Sequence, residues 1–126
     1  MAVDVVVLDG GEGVVVVGTG VVTGSEILDV QKRVYGEETL HKQRYQIIDK
    51  SKCTEYNVSA FEIEALAELD KAAAKVNPNI VFAIIESESL QFSLTSLWQA
   101  NVESVFKTES FKSRDDALAW IEKNAH

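Results

Sequence analysis

One cysteine, one proline, one methionine and two histidines in 126 residues remove several functions before any motif is considered. A lone Cys53 leaves no intramolecular disulfide and no C-x-x-C redox or zinc pair. His41 lies in a polar segment and His126 at the terminus, so neither sits among the partners that a catalytic triad or zinc site requires. The single proline, in Asn77-Pro78-Asn79, marks a turn rather than a linker, and no Ser/Gly-rich or low-complexity tract divides the chain. The first basic residue is Lys32, and Asp4, Asp9, Glu12 and several glycines interrupt the valine-rich stretch from 3 to 22. That stretch is expected to be neither a spanning helix nor a secretory signal, which makes the cytoplasm the expected location and membrane insertion unexpected.

An apolar content of 46% in a chain of this length fits a single domain, residues 1–126, with its own core. The net charge of −8 argues against nucleic acid or an anionic bilayer as partner, because phosphate binding is driven by Lys and Arg releasing counterions. Basic residues concentrate between 31 and 52, at Lys32, Arg33, Lys42, Arg44, Lys50 and Lys52. Such a cluster is either a local face for an acidic partner or phosphate, or a set of solvated lysines around exposed loops, and its looseness favours the latter.

Val3 to Leu8 and Val14 to Val22 are β-branched runs around Asp9-Gly10-Gly11-Glu12-Gly13, which predicts an antiparallel hairpin with a loop long enough to be mobile. Thr23 and Glu26 have capping-box spacing, and Ile27, Val30 and Val34 form the stripe of a first helix ending near Gly36. Residues 36 to 43 are polar and fit either a loop or a short turn. Tyr45 to Asp49 predicts a third strand, followed by a polar turn over 50–58. Ser59 then pairs with Glu62 as a second capping box, opening a helix with Ile63, Leu66, Leu69, Ala73 and Val76 on one face. Ile80 to Ile85 is apolar throughout and suits a central strand covered on both sides. Leu90, Leu94, Leu97 and Trp98 supply a third helix, Ser104 to Lys107 a brief fifth strand, and Ser113 with Asp116 the cap of a last helix carrying Ala117, Trp120 and Ile121. The expected architecture is α/β: a mixed five-stranded sheet, an N-terminal antiparallel hairpin then parallel strands, with about four helices.

The strand ending in Asp49, the polar turn and the helix opened by Ser59 resemble the SpoIIAA-like or STAS family, and the closing Asp115-Asp116-Ala117-Leu118-Ala119-Trp120-Ile121 resembles its uncharacterised STAS/SEC14 branch. The resemblance covers residues 12 to 124. Ser59 falls where the family carries its regulatory serine and Phe61 keeps the bulky type, while Asn57, Val58 and Ala60 stand where the family has Asp, Ser and Gly. It implies a single SpoIIAA-like domain with no catalytic chemistry and no cofactor. Its implied work is to dock a protein partner, as anti-sigma-factor antagonists do, through the 50–58 turn and the start of the helix at Ser59. Asp49, Ser51, Asn57 and Ser59 are the candidate docking and phosphorylation residues. A phosphate on Ser59 would sit at the positive end of a helix; the simpler role of Ser59 is an N-cap, and the sequence leaves both open.

Other chemistry finds little support. Gly18-Thr19-Gly20-Val21-Val22-Thr23-Gly24 has Thr where a dinucleotide loop needs its third glycine, and no Walker-type lysine follows. Glu86 with Glu88 and Asp115 with Asp116 read as surface acids. Cys53 fits a small buried hydrophobe better than a reactive thiol, although Lys50 and Lys52 flank it. Core packing is the expected role of Trp98 and Trp120. The rival function is a carrier or sensor of a small apolar ligand, with Phe92, Leu94, Leu97 and Trp98 as its contacts. A pocket lined by the third helix would favour that carrier, and an exposed apolar patch beside Ser59 would favour docking. The valine-rich edge at Val3 to Leu8 further suggests a homodimer.

Overall fold

The computed structural model describes residues 2–36, 38, 40–88 and 94–126. β1 (Val3–Leu8) pairs antiparallel with β2 (Gly13–Thr23), and β3 (Tyr45–Asn57), β4 (Val81–Ile85) and β5 (Lys107–Phe111) continue the sheet in parallel, in the order β1-β2-β3-β4-β5. Helices α1 (Gly24–Gly36), α2 (Ala60–Val76) and α3 (Thr95–Val102) join successive parallel strands, and α4 (Arg114–Asn124) follows β5. Among the described residues this is the mixed five-stranded α/β architecture with four helices that the periodicities predict.

Each crossover steps one strand in the same direction, so a uniform hand puts α1, α2 and α3 together on one face. The period-two alternation of the strands then supplies both layers of core. Val14 and Val16 pack with Val30 and Val34 of α1, whereas Val15 faces the other way, toward Ala117 and Ile121 of α4. β4 is buried at every position: Phe82 and Ile84 join Ile63, Ala67 and Trp98, while Val81, Ala83 and Ile85 join the α4 side. Such side chains contribute about 1.5–3 kcal/mol each on burial. Phe82 is further fixed by the edge of Trp98, with ring centroids 5.4 Å apart, and by Phe106 at 4.8 Å.

The helix starts follow the capping chemistry. Ser59 Oγ accepts from the Glu62 amide at 3.1 Å and Glu62 Oε1 accepts from the Ser59 amide at 3.0 Å, a complete capping box. Thr23 and Glu26 make the same reciprocal pair before α1, at 3.4 and 3.1 Å, and Ser113 Oγ accepts from the Asp116 amide before α4.

Four expectations are corrected. The segment expected as a polar turn over 50–58 is strand to Asn57, because β2 runs on to Thr23 and its backbone continues the parallel ladder, through irregularities near Gly18 and Gly20, to the pair Thr23↔Asn57. Backbone pairing does not depend on the polarity of Ser51, Lys52 or Glu55. The fifth strand lies at Lys107–Phe111 rather than 104–107; Phe106 is buried in the core just before it. The hairpin loop, expected to be mobile, is a tight 3-10 turn at Asp9–Gly11 tied down by Tyr45, whose hydroxyl donates to Asp9 Oδ2 at 2.6 Å. Finally, Lys50 is not a solvated lysine but is buried. Within 36–43, Leu40–Lys42 forms a 3-10 turn, and Glu37 and Thr39 lie outside the described residues, as do Leu90 and Phe92. Among the described residues no helix is long and apolar enough to cross a membrane.

Candidate functional site

The β3–β4 ladder ends at Asp49↔Ile85, while β3 stays paired to β2 for eight more residues, to Asn57. The two strands therefore part company just after Asp49 and Ile85, and the first residues beyond the split are Lys50 and Glu86. Ser87 bridges the opening by donating to the Cys53 carbonyl at 3.2 Å. Ligand sites of parallel α/β sheets gather at this carboxyl end of the strands.

Lys50 points to the helical side by simple alternation, since Gln46, Ile48 and Lys50 share one face of β3. Its side chain is only 6% exposed. Lys50 Nζ donates to Thr95 Oγ1 at 2.9 Å, and Thr95 Oγ1 donates in turn to Glu86 Oε1 at 2.5 Å. The ammonium also lies 4.6 Å from the centroid of the Tyr56 ring. Thr95 opens α3, and Leu94 before it has a left-handed backbone, φ +59°. That conformation costs a residue with a Cβ about 1–2 kcal/mol and holds Thr95 between the amine and the carboxylate.

Behind Lys50, between the sheet and the layer of α1, α2 and α3, is a cavity of about 60 Å³. Its walls are largely apolar, from Val16, Val22, Ile48, Ile84, Leu66 and Phe82, and Trp98 of α3 lines it as well. Gly18 contributes backbone alone: a Cβ there would stand 2.7 Å from Cys53 Sγ. Lys50, Cys53 and Asp70 line the cavity, as do the ionisable Asp49 and Tyr56.

Burial dominates the electrostatics of Lys50, Cys53 and Asp70. It pushes the Lys50 amine down to about 8, with the Glu86 carboxylate pulling in the opposite direction. It pushes the Cys53 thiol up despite the nearby Lys50 charge. Burial likewise lifts Asp70 to about 6, although its oxygens accept from the Tyr35 hydroxyl at 2.6 Å and the Trp98 indole at 2.7 Å. A second polar string, Gln31 to Gln46 to Gln43 at 2.9 Å each, satisfies the buried amides nearby. The hydrogen-bonded run from Lys50 through Thr95 to Glu86 gives a proton leaving the amine a continuous path to a carboxylate.

The candidate docking residues do not form one surface. Asp49 is buried, accepts from the Ser51 amide and hydroxyl at 2.9 and 2.6 Å, and pairs with Arg114 of α4 at 2.8 Å. Burial opposes its charge, but the Ser51 and Arg114 hydrogen bonds outweigh it and hold the carboxyl below its usual range. Ser59 is engaged instead with Glu62, whose carboxylate lies against Gly24 at the start of α1. Asn57 is exposed at the end of β3. Of the candidate ligand contacts, Trp98 lines the cavity, Leu94 and Leu97 pack against the Phe82 cluster, and Phe92 lies outside the described residues.

The residues the sequence did not single out as a site are Lys50, Thr95 and Glu86. The signal for Lys50 was its register with Gln46 and Ile48. Glu86, expected with Glu88 to be a surface acid, is half-buried against Thr95 instead, and Thr95 carried no signal, because the two meet only through the β4–α3 connection. Among the described residues no group of three or more His, Cys, Asp and Glu comes together to hold a metal ion. No protein-family model matches the chain, and no curated protein matches it.

Proposed function

We propose that this protein is a carrier or sensor of a small, largely apolar molecule held between the sheet and the α1–α3 layer. The observation that carries this reading is the cavity, apolar along its walls and ending in the buried amine of Lys50 with its Thr95 and Glu86 partners. A concave apolar site with a few convergent polar groups is what small-molecule recognition requires.

Amide-resolved NMR with xenon and with 1-propanol tests it. Shifts are expected to cluster at Val22, Ile48, Ile84 and Trp98, and to vanish in Leu66→Phe, whose larger side chain fills the cavity. Leu66 is half-buried, so this variant is expected to keep its fold, which thermal melting checks. Shifts scattered over the surface, unchanged in Leu66→Phe, would refute the reading.

Protein docking at the start of α2 is the second reading, and Phe61 favours it: this aromatic is 78% exposed two residues after Ser59. A partner captured by the wild type and lost with Phe61→Ser would promote it. Phospho-switching is less well supported, since a phosphate on Ser59 Oγ would crowd the Glu62 carboxylate that completes the cap. Edge pairing of two copies along β1, where Val6 and Val7 are exposed, belongs to the same docking reading, and a monomer in light scattering would remove it.

A further inference from the structure

We infer that Lys50 is a covalent attachment point: its amine condenses with the carbonyl group of a short aliphatic aldehyde or ketone seated in the cavity, forming an imine. This inference rests on the binding reading above and names the ligand class for the same site.

Charge decides the class. The Lys50 ammonium is already balanced through Thr95 by the Glu86 carboxylate. A ligand carboxylate would add a second negative charge beside that pair, with Asp70 lining the same cavity. A neutral carbonyl adds none. Volume sets the size: about 60 Å³ is the share of roughly two water molecules, or about three to four non-hydrogen atoms at protein packing density.

The steps balance with the groups present. Lys50 passes a proton through the Thr95 hydroxyl to Glu86, leaving a neutral amine. The nitrogen lone pair attacks the carbonyl carbon, a C–N bond forms, and the C=O π pair moves to oxygen, which takes the proton that Glu86 holds and so frees the carboxylate. The nitrogen gives up its second proton along the same relay, Glu86 hands it to the hydroxyl group, which leaves as water, and C=N closes as a protonated imine that keeps the charge of the starting ammonium. Amine plus carbonyl becomes imine plus water, with no oxidant or cofactor. Burial helps the first step: with the amine at about 8, roughly a quarter is neutral at pH 7.5, against roughly one in a thousand for a lysine of ordinary pKa.

The test is propanal with sodium cyanoborohydride at pH 7.5, followed by intact-mass measurement and peptide mapping. Reduction of the imine leaves a propyl group on the lysine that formed it. The expected result is propylation of Lys50 at least ten-fold faster than of the exposed Lys52, abolished at that position in Lys50→Arg. Glu86→Gln and Thr95→Val are each expected to slow Lys50 roughly ten-fold while leaving Lys52 unchanged. Glu86 is half-buried, so Glu86→Gln keeps the test alive if Thr95→Val does not fold. Propylation of Lys50 no faster than of Lys52, with 1-propanol still shifting the cavity residues, would overturn the imine and leave the binding reading standing. Shifts from neither propanal nor 1-propanol would overturn both.

Discussion

Replacing Asp70 by Asn isolates the cost of one charge held between α2 and its neighbours. Asp70 is 1% exposed and accepts from Tyr35 and Trp98. Its burial outweighs those hydrogen bonds and raises the carboxyl from 3.8 to about 6. The folded protein thus holds this proton more tightly than the unfolded chain does. The associated stability is fully present below about pH 3.8 and is lost as pH rises through about 6, a total of about 3 kcal/mol. Asn has the same shape and stays neutral; its Oδ1 can accept from Trp98 and its Nδ2 can donate to the Tyr35 oxygen. Urea unfolding followed by tryptophan fluorescence, run on both proteins from pH 4 to 7.5, gives the double difference in which every shared carboxylate cancels. The stability of Asp70→Asn relative to wild type is expected to rise by about 2 kcal/mol across that range. A difference that stays flat within about 0.5 kcal/mol would refute the idea that burial, rather than the Tyr35 and Trp98 bonds, dominates this group.

Two further substitutions probe the frame around the site. Ser59→Ala removes the acceptor of the α2 cap and is expected to lower stability by about 1 kcal/mol in the same assay, with the cavity shifts from 1-propanol unchanged. Gly13→Ala places a Cβ 2.1 Å from the Tyr45 ring, so the ring must move and release Asp9. The expected loss is about 1–3 kcal/mol, partly recovered when Tyr45→Leu is added; an unaffected denaturation midpoint would show that the ring yields freely.

What the sequence disclosed was whatever depends on local spacing. Ser59 with Glu62 and Thr23 with Glu26 specify helix starts through contacts three residues apart, and the unbroken apolar run of β4 announces a strand covered on both faces. What it concealed depends on partners distant in the chain. Ser51 to Asn57 is polar enough to suggest a turn, yet β2 offers it a backbone to pair with. Lys50 carries a charge that usually seeks water, and only a register with Gln46 and Ile48, together with Thr95 and Glu86 from other elements, shows why it turns inward. Asp49 looked free to meet a partner until α4 brought Arg114 to it.

The strict sequential order of the strands also bears on how the chain reaches this state. Every strand lies beside the one synthesised just before it, so loop closure never waits for a distant segment, and each strand–helix–strand unit adds to a face already present. The topology predicts assembly that advances from the hairpin toward β5 as the chain emerges from the ribosome. In that sequence β3 joins β2 before β4 exists, and Lys50 spends that interval in water. Its burial is completed only when β4 delivers Glu86 and α3 delivers Thr95, which makes the site one of the last features to mature.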